Sequence, residues 1–129
     1  MTLHVRSFFK RVDQAKRRIR QVSAREAIAL ARAGAVVLDV RDEEEFGRGR
    51  IDGAILIGYK TLDEQIARLV PNEATPIVCY CSRGYRAAIA ADGLQKLGYR
   101  NVVSIDGGLL AYLNAAASML PVCEDVTAK

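Results

Sequence analysis

Four short apolar runs constrain the fold of this chain more than any other feature. Each is almost continuously hydrophobic, which is typical of strands that are buried on both faces of a parallel sheet. The segments between the runs have the apolar spacing of helices. This alternation predicts an α/β domain with a mainly parallel central sheet flanked by helices on both faces. The four runs are AVVLDV (35–40), AILI (54–57), PIVCY (76–80) and NVVSI (101–105), and IRQV (19–22) is a candidate for one further short strand.

Local signals predict where the helices begin and end. SARE (23–26) and TLDE (61–64) match the capping-box pattern, in which a hydroxyl and a glutamate satisfy backbone N–H groups reciprocally. A glycine after the last apolar position is a common helix stop. We therefore expect helices from 23 to Ala33, ended by Gly34; from 61 to before Pro71; from Arg86 to Leu97, ended by Gly98; and from Leu109 to Met119, ended by Pro121.

The first 20 residues carry most of the net charge. They contain seven basic residues and one acidic residue, which leaves 12 basic and 14 acidic residues in the rest of the chain. The apolar spacing in this segment predicts a basic amphipathic helix over 3–18. We expect three parts: this N-terminal helix (1–18), an α/β domain (19–122) and a C-terminal tail (123–129).

The N-terminal helix has several candidate roles. Packing of a face that contains Phe8 and Val12 against the domain or a second subunit is the first. Peripheral contact with a membrane surface is the sharper alternative, and an arginine-rich targeting peptide is a weaker one. Nucleic-acid binding is not expected, because a short basic stripe without base-stacking residues is not diagnostic.

The cysteines and the hydropathy favour a reducing compartment. The chain has three cysteines, two of them separated by one residue, which does not resemble a secreted disulfide framework. No signal-peptide apolar region is recognised, and no stretch approaches the roughly 18 apolar residues of a transmembrane helix. The cytoplasm is the expected location.

Several kinds of catalytic site are disfavoured. A Ser–His–Asp or Cys–His site is disfavoured because the one histidine, His4, lies in the basic N-terminal segment and would have to fold back into the core. We expect Cys79 and Cys81 to point to opposite faces of their strand, which disfavours a shared zinc ion or a disulfide. The glycine patterns of phosphate loops and dinucleotide folds are not found.

Cys81 is the strongest candidate for a reactive residue. It follows a predicted strand and begins a loop that leads into a helix, where backbone N–H groups can converge on an anion. The helix N-terminus and two arginines favour the thiolate over the thiol. Cys81 is therefore predicted to be a nucleophile toward sulfur or phosphorus, whereas Cys79 is interpreted as a core residue. The loop contains Ser82, Arg83, Gly84, Tyr85 and Arg86 as candidate anion-binding residues, and Tyr85 either lines the mouth of the pocket or is an exposed loop residue.

Three segments together resemble the rhodanese (thiosulfate sulfurtransferase) family. They are LDVRDEEEFGRGRIDGAILI, IVCYCSRGYRAAIAADGLQKLGYRNVVSIDGG and LLAY, and the resemblance extends from about Ile19 to Leu120. It implies a rhodanese-like fold in which Cys81 accepts a sulfane sulfur from a donor such as thiosulfate. Residues 82–86 would surround the resulting persulfide, and cyanide, a thiol or an acceptor protein would then remove the sulfur. No metal or organic cofactor is implied.

The resemblance also assigns positions outside the loop. Asp39 and Arg41 match the family's DVR motif, and we interpret them as an ion pair that supports the edge of the sheet. Arg50 stands where many members carry histidine, and Tyr112 stands in place of a common tryptophan. Both differences bear on specificity more than on the nucleophile.

Two alternative functions remain open. One is a non-enzymatic persulfide carrier or interaction module. The other, less favoured, is a cysteine-dependent phosphatase, since such enzymes also bind an anion in a loop between a strand and a helix. Their loop has five residues between cysteine and arginine, whereas here four residues separate Cys81 from Arg86.

Overall fold

The computed structural model describes residues 2–119, which form a five-stranded parallel sheet with helices on both faces. Each of the four apolar runs contributes a strand, and IRQV contributes the fifth. The strands are β1 (Arg20–Val22), β2 (Val36–Asp39), β3 (Ile55–Leu56), β4 (Ile77–Tyr80) and β5 (Val102–Ile105). Their order across the sheet is β1-β5-β4-β2-β3, with every neighbouring pair parallel. The predicted fold class is thus confirmed.

Within residues 2–119, six helices connect and cover these strands. They are α1 (Leu3–Arg18), α2 (Ala24–Arg32), α3 (Glu43–Arg48), α4 (Leu62–Leu69), α5 (Tyr85–Lys96) and α6 (Gly108–Ser118). The bounds of α1 agree with the predicted 3–18, whereas the short helix α3 was not predicted. The predicted stop at Pro121, the end of the 19–122 domain and the tail at 123–129 lie outside the described residues.

The sheet separates two hydrophobic layers. Along β4, Ile77 and Cys79 belong to the layer under α4 and α5, whereas Val78 and Tyr80 belong to the layer under α2 and α6. All four residues are buried, as expected for a central strand of a parallel sheet. Because β4 is central, its carboxyl end lies in the middle of the edge where such sheets bind ligands.

The two predicted capping boxes differ from the structure. The Ser23 hydroxyl accepts the Glu26 N–H at 3.1 Å, but the Glu26 carboxylate accepts a hydrogen bond from Arg20 instead of returning to Ser23. The box at 61–64 is wrong: the Thr61 hydroxyl bonds to the Gly58 carbonyl and to Gln65, and does not cap α4. The helix cap competes here with partners from a turn and from the next helical turn.

The N-terminal helix packs on α5, as its apolar face predicts. Val12 and Ala15 are buried there, and Phe8 is half-buried. The Arg18 guanidinium donates two hydrogen bonds to Asp92 on α5, at 2.9 and 2.8 Å. The packing on α5 covers Val12 and Ala15, whereas Leu3, Val5 and Phe9 of the same helix remain 79%, 39% and 37% exposed. Contact of α1 with a membrane surface therefore stays a prediction. Within residues 2–119, no helix has the length and apolarity needed to cross a bilayer.

Candidate active site

The Cys81 thiol lies in a cradle of backbone N–H groups. Cys81 follows β4 directly, and its Sγ accepts hydrogen bonds from the N–H groups of Gly84 at 3.0 Å and Ala87 at 3.4 Å. Gly84 has a φ of 98°, in the left-handed region that favours glycine, and it is the N-cap of α5. The sulfur is thereby at the positive end of a helix, with two donors already aimed at it.

The turn between β5 and α6 packs against the loop that begins at Cys81. The Leu109 N–H donates to the Cys81 carbonyl oxygen at 2.8 Å. Gly108 has a φ of 64°, and a Cβ built on it would lie 2.5 Å from the Cys81 carbonyl oxygen and overlap the Ser82 carbonyl. The loop after β4 (81–86) and the turn after β5 (106–108) therefore meet at the edge of the sheet, where the carboxyl ends of parallel strands lie together.

A third segment, α3, holds the loop through one carboxylate. Glu45 accepts two hydrogen bonds from the Arg86 guanidinium, at 2.7 and 2.9 Å, and one from the Ser82 hydroxyl at 3.2 Å. It also accepts the Asp42 N–H, while Asp42 caps the Glu45 N–H in return. Sequence reasoning did not select Glu45, although the D-x-x-E pattern at Asp42 could have located the start of α3.

The ion pair between Glu45 and Arg86 shifts the pKa values of both side chains. The hydrogen bonds from Arg86, and to a smaller extent the bond from the Asp42 N–H, lower the pKa of the Glu45 carboxyl from 4.5 to about 2. The same bonds raise the pKa of Arg86. Arg86 was expected to add positive charge to the anion site, but much of that charge is balanced by Glu45.

The loop opens into a small cavity next to the thiol. Its volume is about 250 Å³, smaller than two cavities of about 440 Å³ elsewhere in the molecule, and Cys81 forms part of its wall. Of the predicted loop residues, all except Gly84 line it. The lining consists of Glu45, Cys81, Ser82, Arg83, Tyr85 and Arg86. Sequence reasoning left the position of Tyr85 open, and the structure places it at this cavity.

A buried polar network supports the same edge of the sheet. The expected ion pair is present: Arg41 donates to both carboxylate oxygens of Asp39, with the closest contact at 2.7 Å. The Tyr80 hydroxyl donates to Asp39 at 2.6 Å and accepts the Ile51 N–H at 3.1 Å. Burial, and then the bond to Asp39, raises the pKa of Tyr80. The network joins the ends of β2 and β4 to the loop at Gly49, and these residues do not line the Cys81 cavity.

The two cysteines do not point to opposite faces, so that prediction is wrong. Cys79 and Cys81 belong to the same hydrophobic layer, because residues two apart in an extended segment face the same side. Both are free thiols. Burial raises the pKa of Cys79 to about 12, which keeps it a thiol. Among residues 2–119, no cluster of three or more histidine, cysteine or carboxylate side chains is arranged to hold a metal.

Two positions that differ from the family pattern lie away from the cavity. The Arg50 guanidinium lies 4.4 Å from the centre of the Phe46 ring and bonds to the Phe46 carbonyl. Tyr112 packs in the layer under α2 and α6. Neither lines the Cys81 cavity.

The fold and the site together define an α/β domain with a cysteine in an anion-binding loop. A family model described as the rhodanese-like domain matches residues 23–115. The chain belongs to this family.

Known relatives include enzymes of different kinds. The chain is 36% identical over 89 residues to thiosulfate sulfurtransferase GlpE of Pseudomonas entomophila, covering 69% of this chain and 80% of that one. It is 35% identical over 83 residues to the tRNA uridine(34) hydroxylase of Protochlamydia amoebophila, covering 60% of this chain. The chain spans only 26% of that hydroxylase's length.

A solved structure is also similar. It is a Rhodopseudomonas palustris protein of unknown function, described as a "possible tyrosine phosphatase", with 29% identity and a TM-score of 0.77. The alignment covers 84% of this chain and 90% of that protein. The names of these similar proteins thus point to different activities, so the choice among them for this chain depends on the geometry around Cys81.

Proposed function

We propose that this chain is a rhodanese-type sulfurtransferase that carries a sulfane sulfur on Cys81. The observation that carries the proposal is the Cys81 Sγ itself, which accepts two backbone N–H groups at the N-terminus of α5 and lies at a cavity of about 250 Å³. The similarity to a thiosulfate sulfurtransferase over most of that protein's length supports the same activity here.

In the first step, the Cys81 thiolate attacks the outer sulfur of a donor such as thiosulfate. A bond forms between the Cys81 sulfur and the outer sulfur, and the sulfur–sulfur bond of thiosulfate breaks. Sulfite leaves with the electron pair of that bond, and Cys81 becomes a persulfide. The donors on Gly84 and Ala87 are already fixed around the developing charge, so little reorganisation is needed.

In the second step, a nucleophile removes the transferred sulfur. Cyanide or a thiolate attacks the terminal sulfur of the persulfide, and the Cys81 thiolate leaves with the electron pair of the bond that breaks. The products are thiocyanate or a new persulfide, and the enzyme returns to its starting state. Removing one fixed donor from such a site costs about 10²–10³ in rate in a well-studied enzyme, which indicates the scale of this stabilisation.

The surrounding loop residues have distinct proposed roles. Ser82, Arg83, Tyr85 and Arg86 line the space that the donor and the terminal sulfur would occupy, and Gly84 supplies the N–H and the left-handed turn. Asp39 and Arg41 provide structural support. The reaction needs a reduced thiol at Cys81, which fits our expectation of a cytoplasmic protein.

Phosphatase chemistry is the main competing outcome. The similarity to a protein described as a possible tyrosine phosphatase makes it worth testing. Two observations count against it: only four residues separate Cys81 from Arg86, and Glu45 already binds the Arg86 guanidinium through both of its terminal nitrogens.

The test measures the product and the intermediate together. We expect the purified protein to form thiocyanate from thiosulfate and cyanide, and to gain the mass of one sulfur atom after incubation with thiosulfate alone. That gain should be lost in Cys81→Ser and kept in Cys79→Ser, a matched change of the buried neighbouring cysteine. Release of phosphate from an aryl phosphate without thiocyanate formation would overturn the proposal.

The kinetics separate an enzyme from a carrier. A sulfurtransferase turns over many times with cyanide or a small thiol. A protein that forms the persulfide with thiosulfate but turns over slowly, and passes the sulfur rapidly only to a partner protein, would be a carrier instead.

A further inference from the structure

The helix α1 contacts the active-site loop although it lies outside the family match. The matched region begins at residue 23, whereas α1 ends at Arg18. The Phe9 ring meets the Tyr85 ring edge to face, with centroids 5.4 Å apart and planes at 81°. The Lys16 Nζ lies 5.2 Å from the centre of the same Tyr85 ring. Tyr85 in turn lines the Cys81 cavity, so both side chains contact a residue of the cavity wall.

These contacts come from a fixed element. Val12, which lies between Phe9 and Lys16 in sequence, is 2% exposed in the interface with α5, and Ala15 is 1% exposed. The two hydrogen bonds from Arg18 to Asp92 fix the end of the helix. Phe9 and Lys16 therefore hold the Tyr85 ring from a helix that is itself packed against the domain.

The ion pairs around the cavity make Lys16 important for the positive charge beside it. The Arg86 guanidinium is paired with Glu45, so it contributes little net charge to the mouth. Among residues 2–119, Arg83 and Lys16 form no ion pair. Arg83 lines the cavity and is exposed. The Lys16 Nζ lies over the ring of Tyr85, which is two residues after Arg83 in the loop. Within the described part of the chain, Arg83 in the cavity lining and Lys16 over the Tyr85 ring are therefore two cations beside the cavity that no ion pair balances.

We propose that α1 is a functional part of the Cys81 site and determines its specificity. Lys16 favours anionic reagents over neutral ones at the mouth of the cavity. Phe9 is a positioning residue that holds the Tyr85 ring and so limits the size of molecules that reach Cys81. This proposal rests on the proposed function, because an anionic sulfur donor and a small acceptor are the molecules that a positively charged, narrow cavity mouth would favour.

The charge effect is tested by alkylating Cys81 with two small reagents. Iodoacetate is anionic and iodoacetamide is neutral, and both are used on a Cys123→Ser background so that Cys81 is the thiol measured. We expect Lys16→Met to lower the iodoacetate-to-iodoacetamide rate ratio about threefold, and the effect to shrink in about 1 M salt. Lys10→Met removes the same charge from an exposed position of the same helix, and should change the ratio much less. Equal effects of the two variants, or none, would overturn the role of Lys16.

The size effect is tested with a bulky maleimide against iodoacetamide. We expect Phe9→Ala to raise the relative rate with the bulky reagent about threefold or more, because the Tyr85 ring loses its edge contact. Phe9→Tyr keeps an aromatic ring at this position and should retain the wild-type rate ratio. Val5→Ala on the same helix should also leave the ratio unchanged. In a Tyr85→Ala background, Phe9→Ala should have no further effect. Additive effects of the two substitutions would show that Phe9 does not act through Tyr85.

These measurements can contradict the role of α1 and the proposed function independently of each other. Alkylation needs no turnover, so a protein that makes no thiocyanate but shows the expected ratios would sink the proposed function alone. An active sulfurtransferase whose ratios do not respond to Lys16 or Phe9 would sink the role of α1 alone. In an active enzyme, Lys16→Met should raise KM for thiosulfate about threefold and leave kcat nearly unchanged, as expected for a loss of electrostatic attraction.

Discussion

Glu45 and Arg86 are joined by two parallel hydrogen bonds, at 2.7 and 2.9 Å, across 41 positions of the chain. The same carboxylate accepts the Ser82 hydroxyl, so one side chain of α3 holds both ends of the loop that follows Cys81. The ion pair has a structural consequence and an electrostatic one. It fixes the loop to α3, and it balances the charge of the arginine nearest to the α5 N-terminus.

The first prediction concerns the pH dependence of stability. The pKa of Glu45 in the folded protein is about 2, below the ordinary value of 4.5. The ionised carboxylate therefore stabilises the fold above pH 4.5, and this contribution is lost as the pH falls toward 2. We expect Glu45→Gln to lower the free energy of unfolding by about 1–2 kcal/mol at pH 7, since the pair is partly exposed.

Urea unfolding at a series of pH values checks this expectation. The difference between wild type and Glu45→Gln should be constant at neutral pH and shrink below pH 4.5. Glu43→Gln, on an exposed position of the same helix, serves as the control and should change stability little at any pH. A difference for Glu45→Gln that persists unchanged to low pH would show that the ionised carboxylate is not what stabilises the loop.

The second prediction concerns the buried network under the edge of the sheet. The Tyr80 hydroxyl bonds to both Asp39 and the Ile51 N–H. Tyr80→Phe leaves a buried carboxylate with one partner fewer and a buried N–H without its acceptor, so we expect a loss of about 1–3 kcal/mol. Tyr112→Phe, at a half-buried tyrosine of α6, should cost less than about 0.5 kcal/mol. Equal small losses in thermal unfolding would mean that the network contributes little.

The sequence predicted the sheet, and the position of Cys81 between a strand and a helix, because both depend on local patterns. Four apolar runs with helical spacing between them are sufficient for a parallel α/β class, and a cysteine between a strand and a helix is recognisable along the chain. The error about Cys79 and Cys81 was a misreading of the strand period, since residues two apart share a face. Correctly read, that period places both cysteines on one side, as found.

Contacts between distant segments could not be predicted in the same way. Nothing in the residues around Glu45 indicates that its partner is Arg86, because the pair forms only after α3 and α5 are brought together at the sheet edge. The contact of Phe9 with Tyr85 also depends on the angle at which α1 crosses α5. The TLDE pattern shows the opposite failure, since a matching motif does not form its cap when Thr61 has other partners.

The third prediction concerns Gly108. A Cβ at this position would overlap the carbonyl groups of Cys81 and Ser82, and its φ of 64° adds backbone strain. We expect Gly108→Ala to cost at least about 3 kcal/mol and to displace the Cys81 loop. Gly93→Ala is the matched control, because a Cβ on Gly93 meets nothing within 4 Å and lies inside α5.

The two glycine variants should move in opposite directions. Gly93→Ala should stabilise the protein by up to about 1 kcal/mol, since alanine is the better helix former. Thermal unfolding gives the stability, and the rate of persulfide formation at a temperature where both variants are folded gives the effect on the site. A Gly108→Ala variant with normal stability and normal persulfide formation would contradict the close approach of the β5–α6 turn to the loop.

The fourth prediction tests whether α1 is an integral part of the folded domain. Val12 is 2% exposed against α5, whereas Val5 on the same helix is 39% exposed. We expect Val12→Ala to destabilise the protein by about 2 kcal/mol, the sum of lost burial and a small cavity, and Val5→Ala by less than about 0.5 kcal/mol. Because the two substitutions are chemically identical, the difference between them reports packing alone. If α1 separates from α5 in solution, both variants will unfold at the same urea concentration as the wild type, and the cations and rings of α1 would then have no fixed position at the mouth of the Cys81 cavity.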